Sequence, residues 1–248
     1  HRYVVAVHKA QSPSGEAINP PEGFQALRDT TMTESHPVEA LRDHYESEIF
    51  PVFQAAGMER EELLIAWDFT TRTKANLMSD AMVMRTFAMK TFETTPPEVE
   101  ILSNDANPSE FIAYRIKGTV TVPLFLKNTG PGGRMLRNEQ GLPISTSQVK
   151  VPFTIQIPQS VIDAEGAVPL LQFGHGFFQS QGEIEGDAIR RISSENRMMV
   201  IAADWWGLSE PDMVPMLEVI ARDPQEGLGF IDRINQAFVN FMALTYAA

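Results

Sequence analysis

The chain has 248 residues, 43% of them hydrophobic, enough for one large or two ordinary domains with a packed core. Its net charge of −12, with no run of five basic residues, argues against a nucleic-acid partner and reads as solubility. No cysteine is present, so disulfide and thiolate chemistry are excluded, and no apolar stretch approaches the roughly 18 residues of a transmembrane helix.

Residues 2–8 alternate as a strand, too short for a signal peptide. The chain lacks an initiator methionine, starts in a strand pattern and stops in a helical one, so a processed or partial product is expected. Turn chemistry follows at Gln11–Gly15 and at Asn19-Pro20-Pro21. A helix is expected from Ser35 or His36, with Pro37 at its first position and Leu41, Tyr45 and Ile49 as its apolar stripe. Pro51 must kink or restart it, and Gly57 is a plausible stop. Leu63–Thr70 reads as a strand. A longer helix is expected from about Thr73 to Phe92, with Leu77, Ala81, Met84 and Ala88 on one face and its methionines filling the core. Thr94-Thr95-Pro96-Pro97 ends that unit.

The second half begins with two period-two runs, Ile112–Val122 and Val149–Ile157, the pattern of antiparallel strands with one wet face. The glycines of Thr129–Gly133 form a connection rather than a phosphate loop, since no Gly-Lys-Ser/Thr follows. Residues 168–174 and 198–204 are continuous apolar strands, expected to lie parallel and covered on both faces, with helix 183–196 as their crossover. Strand 198–204 is expected to leave an open sheet edge. Gln225 to Tyr246 reads as a helix with Leu228, Ile231, Ile234, Phe238, Phe241 and Met242 facing the core.

The two parallel strands end in turns that carry the chemistry: Gly174-His175-Gly176-Phe177-Phe178, and Asp204-Trp205-Trp206-Gly207-Leu208-Ser209. A glycine-bearing turn at a strand's carboxyl end can aim backbone N–H groups at an oxyanion. The candidate donor is the Phe177 amide, with Phe178 as a second. Gly176 leaves room there, and His175 shapes the turn rather than acting as a general base. Phe177, Phe178, Trp205 and Trp206 are equally readable as an acyl pocket or as core. Ser209 lacks the flanking glycines of a nucleophile elbow, and no Gly-x-Ser-x-Gly occurs anywhere. His36, Asp43, His44 and Glu48 share a helix, but no third ligand motif supports a metal, so they read as a solvated face. Neither a cofactor nor a metal is expected.

In these motifs the chain resembles the large bacterial extracellular lipase-like α/β-hydrolases that carry an Ig-like β-domain before the hydrolase core. The likeness runs through Arg2-Tyr3-Val4-Val5-Ala6-Val7, Ala66-Trp67-Asp68-Phe69-Thr70-Thr71, Gly118–Leu124, Gln172-Phe173-Gly174-His175-Gly176 and Ala203–Ser209. It implies an α/β fold: the first half of an α/β-hydrolase sheet, preceded by a small β-rich (Ig-like) region and a helical linker. The boundaries expected are 1–71 for the C-terminal part of the Ig-like region, 72–110 for the linker, and 111–248 for the half core. The resemblance also implies a secreted or cell-envelope serine esterase or lipase acting on a small-molecule or lipid ester. It makes Asp204 and Gly207-Leu208-Ser209 structural. Serine, acid and histidine of the triad would lie beyond residue 248, so this chain alone is expected to be inactive. The C-terminal remainder of the same protein, or a partner chain, would cover the open edge. The alternative is a non-catalytic envelope or assembly protein on a hydrolase-like scaffold. Whether the reading frame continues into a strand and a Gly-x-Ser-x-Gly separates the two.

Overall fold

A computed structural model describes residues 1–222 and 227–248, with Leu228 by its backbone alone. The chain is of mixed α/β class and divides into two compact units, His1–Leu77 and Met78–Ala248.

In the first unit β1 (Arg2–His8) runs antiparallel to β2 (Leu63–Thr70), with Tyr3 opposite Phe69, Val5 opposite Trp67 and Val7 opposite Ile65. Between them lie α1 (Glu22–Arg28), α2 (His36–Glu39), α3 (Arg42–His44), a π-helical turn at Tyr45–Ile49, and α4 (Phe50–Ala55). Their core gathers Phe24, Leu27, Ile49, Phe50, Phe53, Leu63 and Ala66. α2 starts where Ser35 and Pro37 place it. Pro51 has no N–H for the helical ladder, and the chain meets it with the wide turn before restarting as α4. Ile49 is buried and the Tyr45 hydroxyl donates to Ala66 O at 2.7 Å, whereas Leu41 is exposed, so only the C-terminal part of the expected stripe is used. Gly57, at φ +77°, ends the segment. α1 was not anticipated, because Pro20-Pro21 reads as a breaker; here Pro21 stands just ahead of the first turn, where no N–H is needed.

α5 (Lys74–Thr94) runs on into the second unit, where Met84, Ala88 and Phe92 are buried; Leu77, Met78 and Met82 are exposed. The second unit holds a five-stranded sheet, ordered β3-β4-β5-β7-β6. Its strands are β3 (Val99–Ala106), β4 (Ile112–Leu124), β5 (Ser147–Pro158), β6 (Leu170–Phe173) and β7 (Met199–Ala203). β3, β4, β5 and β7 pair antiparallel in turn, and β6 pairs parallel with β7, as their apolar runs predict. A 3₁₀ turn (Gln181–Glu185) and α6 (Asp187–Glu195) form the crossover between them. β3 escaped the sequence reading because a register shift between Ile101 and Ser103 breaks its period-two alternation.

Two expectations about the sheet are corrected. β7 is not an edge: it lies between β5 and β6, and the strands with one side unpaired among the described residues are β3 and β6. Nor is β6 covered on both faces, for Leu170 and Leu171 are each 37% exposed. A parallel partner buries one flank of a strand, and an edge strand keeps the other in water. β7 does have both faces covered. Ile201 and Ala203 meet Val120, Val122, Val151, Phe153 and α5, while Val200 and Ala202 meet Ile184, Phe173 and Ile189.

α7 (Glu210–Arg222) and α8 (Leu228–Ala247) complete the unit. The expected helix start at Gln225 and the side chain of Leu228 lie outside the described residues. Phe241 is buried and Met242 partly so, but Ile231 and Phe238 are exposed. The inward face of α8 instead includes Arg233, Gln236 and Asn240. Gln236 accepts from Phe125 N–H at 2.8 Å and donates to Pro123 O at 3.0 Å and Asn240 Oδ1 at 2.9 Å. Such partners offset the burial of polar groups and rotate the helix away from its hydropathic stripe.

Candidate functional site

Both chemistry-bearing turns sit at the carboxyl ends of the parallel pair, the end at which open α/β sheets bind ligands. They are laced together. Trp205 N–H donates to His175 Nε2 at 2.7 Å, and His175 Nδ1 lies 2.8 Å from Gly176 O. An amide can only donate and a carbonyl can only accept, so the network places the ring proton on Nδ1. Both ring nitrogens are thereby committed, which fits turn shaping and leaves no lone pair for a general base. Phe178 N–H donates to Leu208 O at 2.7 Å, Glu210 N–H to Gln179 O at 3.0 Å, and a parallel bridge joins Gln179 to Ser209.

These bonds sort the candidate donors. Gly176 N–H is taken by Glu183 Oε2 at 3.0 Å and Phe178 N–H by Leu208, so Phe178 is not available as a second donor. Phe177 N–H has no acceptor among the described residues. The Phe177 side chain is 62% exposed and its ring packs on Phe178 at 4.2 Å between centroids. Phe178 adopts φ +57°, a left-handed conformation uncommon for a bulky residue, which turns the chain back toward Leu208.

A cavity of about 610 Å³ adjoins the loop at Gly174. Its walls include Trp205, Phe238, Phe241, Met242 and Tyr246, with Gln172 and Thr245 as polar members. The Thr245 hydroxyl lies within donating reach of Gln172 Oε1, at 3.0 Å, and of Phe241 O, at 2.9 Å, and Gln172 Nε2 donates to Phe241 O at 2.9 Å. Trp205 packs on Phe241 at 4.5 Å and edge-on to Phe238 at 5.2 Å. Trp206 does not line this cavity; its ring lies 4.9 Å from the Arg233 guanidinium.

Asp204 Oδ1 accepts from Gln181 N–H at 2.7 Å, and Gln181 Oε1 from Thr154 Oγ1 at 2.9 Å. The 3₁₀ turn is further tied to β4 by Glu185, which pairs with Arg115 and, at 3.1 Å, with Lys117. The Asp105 hydrogen bond raises the Arg115 guanidinium above its ordinary pKa, with the Glu185 charge adding to it. Ser209 is buried and donates from Oγ to Asp212 Oδ2 at 2.7 Å, a fixed hydroxyl rather than a free nucleophile. Asp212 Oδ2 also accepts Ser209 N–H at 3.3 Å, the reach-back half of a capping box at the start of α7. The Ser209-x-x-Asp212 spacing is the signal in the sequence that marks this cap and α7, though Pro211 and Pro215 obscured it. Glu183 and Arg233 carried no such signal.

In the first unit His44 Nε2 lies 2.9 Å from Asp68 Oδ1, and Arg2 Nε donates to Asp68 Oδ2 at 2.7 Å. His44, then Arg2, holds the Asp68 carboxyl below its usual range. Among the described residues, no group of three or more His, Cys, Asp or Glu is placed to hold a metal ion; no helix is long and apolar enough to cross a membrane. Comparison with protein-family models, curated proteins and solved structures returned no match, so the functional reading rests on the chain's own geometry.

Proposed function

We propose that residues 111–248 are the first half of an α/β-hydrolase core, supplying the oxyanion donor of a serine esterase or lipase that acts on carboxylic esters. One observation carries this reading. At the carboxyl end of β6, Phe177 N–H has no acceptor among the described residues, while the amides on either side are bonded. In acyl transfer, a serine oxygen whose proton passes to the general base adds to the ester carbonyl, whose oxygen becomes an anion; collapse of that anion gives the acyl-enzyme and releases the alcohol, which takes the proton back from the base. A pre-aimed amide stabilises that anion without reorganising. The apolar cavity at Gly174 suits an acyl group, with Trp205 as its wall.

Nucleophile, acid and base come from polypeptide beyond these residues, and the unpaired side of β6 is where another strand would pair. On the same resemblance, residues 1–71 are the C-terminal part of an Ig-like region in a secreted or envelope protein. The outer face of β1 and β2 supports a second sheet packing there, since Tyr3, Val7, Ile65, Trp67 and Phe69 are all exposed on it.

The test uses a fluorophosphonate probe and a p-nitrophenyl ester. Chain 1–248 should be neither labelled nor active, whereas the full gene product should be both. Labelling of 1–248 overturns the division of labour. A full product that takes no probe and hydrolyses no ester overturns the hydrolase reading and favours the non-catalytic scaffold.

A further inference from the structure

We propose that Glu183 is a positioning residue that sets which amide of the His175–Phe178 turn stays free; its catalytic consequence rests on the reading of Phe177 as oxyanion donor. Glu183 acts through Gly176 and not on a substrate. It belongs to the 3₁₀ turn Gln181–Glu185 and reaches back across the sequence, its Oε2 accepting Gly176 N–H at 3.0 Å. The carbonyl of the same glycine is held from the other side, by Gln179 N–H at 3.1 Å and by His175 Nδ1 at 2.8 Å. Gly176 C=O and Phe177 N–H share one planar peptide unit, so the bonds on that carbonyl direct the Phe177 amide, while Glu183 holds the peptide before it.

The carboxylate is itself well seated. The turn that carries it is anchored without it, through Asp204 on Gln181 N–H at 2.7 Å and Lys117 on Glu185 at 3.1 Å. Its backbone also closes the turn independently, Glu183 N–H to Ser180 O at 3.1 Å and Gly186 N–H to Glu183 O at 3.0 Å. Loss of the side chain therefore removes one bond and leaves the turn standing. Gly176 is shaped for this contact: a Cβ there would sit 3.3 Å from Glu183 Oε1 and 3.5 Å from Gln179 Cγ.

Two variants separate position from charge. Glu183→Gln keeps an acceptor oxygen, and Glu183→Ala removes it. In chain 1–248, amide exchange read by NMR should show Gly176 protected and Phe177 exchanging fast. Glu183→Ala should speed Gly176 exchange by roughly tenfold or more at unchanged melting temperature, and Glu183→Gln should restore protection. Gly176 exchange that is the same in all three proteins overturns the proposal. In the full gene product, Glu183→Ala should lower kcat by about 10²-fold with KM changed much less, and Glu183→Gln should recover most of it. A lowered kcat that glutamine does not rescue, or a kcat unaffected by alanine, also overturns it. If the full product proves inactive, the hydrolase reading falls, and the exchange experiment alone decides whether Glu183 positions the turn.

Discussion

Arg233 Nε donates to Asp212 Oδ1 at 2.7 Å, with the two side chains only 4% and 0% exposed. The pair ties α8 to the first turn of α7 and to the loop before both. Arg233 Nη1 also donates to Thr129 O at 2.7 Å and Gly130 O at 2.8 Å, and Asp212 Oδ2 accepts Gly207 N–H at 2.8 Å. Each charge is thus buried with several partners, the condition under which a buried ion pair is tolerated.

Arg233→Met should cost about 3–5 kcal/mol, because it strands the Asp212 carboxylate without its counter-charge. Adding Asp212→Asn should recover part of that loss, since the amide keeps an acceptor for Ser209 and Gly207 while removing the charge. Urea denaturation of the single and double variants checks this; a double variant weaker than the single would contradict it.

Gly207→Ala should be nearly as damaging. Gly207 sits at φ +89°, and a Cβ there would lie 2.7 Å from Phe230 O and 2.8 Å from Ile234 Cγ1. Backbone strain and the clash add, so a loss of more than about 2 kcal/mol is expected. A melting temperature within a degree or two of the parent would show that the turn relaxes freely.

Gly176 should behave in the opposite way, costing activity more than stability. Its neighbours are side chains with room to move, so Gly176→Ala should fold. Gly176→Val should crowd the turn and lower kcat of the full gene product by about 10²-fold, the scale of losing an oxyanion donor. On the function proposed above, His175→Ala should hurt less than loss of the serine, since both ring nitrogens are bonded within the turns. Nitrogen-15 spectra of His175 should show the proton on Nδ1. A proton on Nε2 would contradict the bond from Trp205.

Acid should weaken the first unit through Glu39. Arg42, then the Thr33 amide, holds the Glu39 carboxyl down at about 2, against an ordinary 4.5. The bonds are short, Thr33 N and Arg42 Nη2 each at 2.8 Å from Glu39 Oε1. A depressed carboxyl contributes stability in full above pH 4.5 and loses it as pH falls through about 2. Thermal melts between those limits should therefore fall with pH less steeply in Glu39→Gln than in the parent. Equal slopes would remove Glu39 from the acid transition.

The sequence alone determined the elements whose local pattern and surroundings agree. β1, β4 and β5 lie where alternation puts them, and β2 where a run of bulky strand-forming residues does. The parallel β6–β7 pair and its crossover were legible from continuous apolar runs too short to be helices. The His175-Gly176 and Asp204 turns were legible because glycine and polar residues break those runs. Only the tertiary structure decided the rest. Spatial strand order differs from chain order, so the parallel pair meets the sheet edge at β6 rather than at β7. Long-range hydrogen bonds turned Arg233, Gln236 and Asn240 inward on α8 and sent Ile231 and Phe238 out, which no hydropathic period records. The same holds at the turn itself: whether an amide is free depends on partners distant in the chain, Glu183 for Gly176 and Leu208 for Phe178. Periodicity measures where side chains point along one element, whereas hydrogen-bond satisfaction is settled between elements, after they have packed.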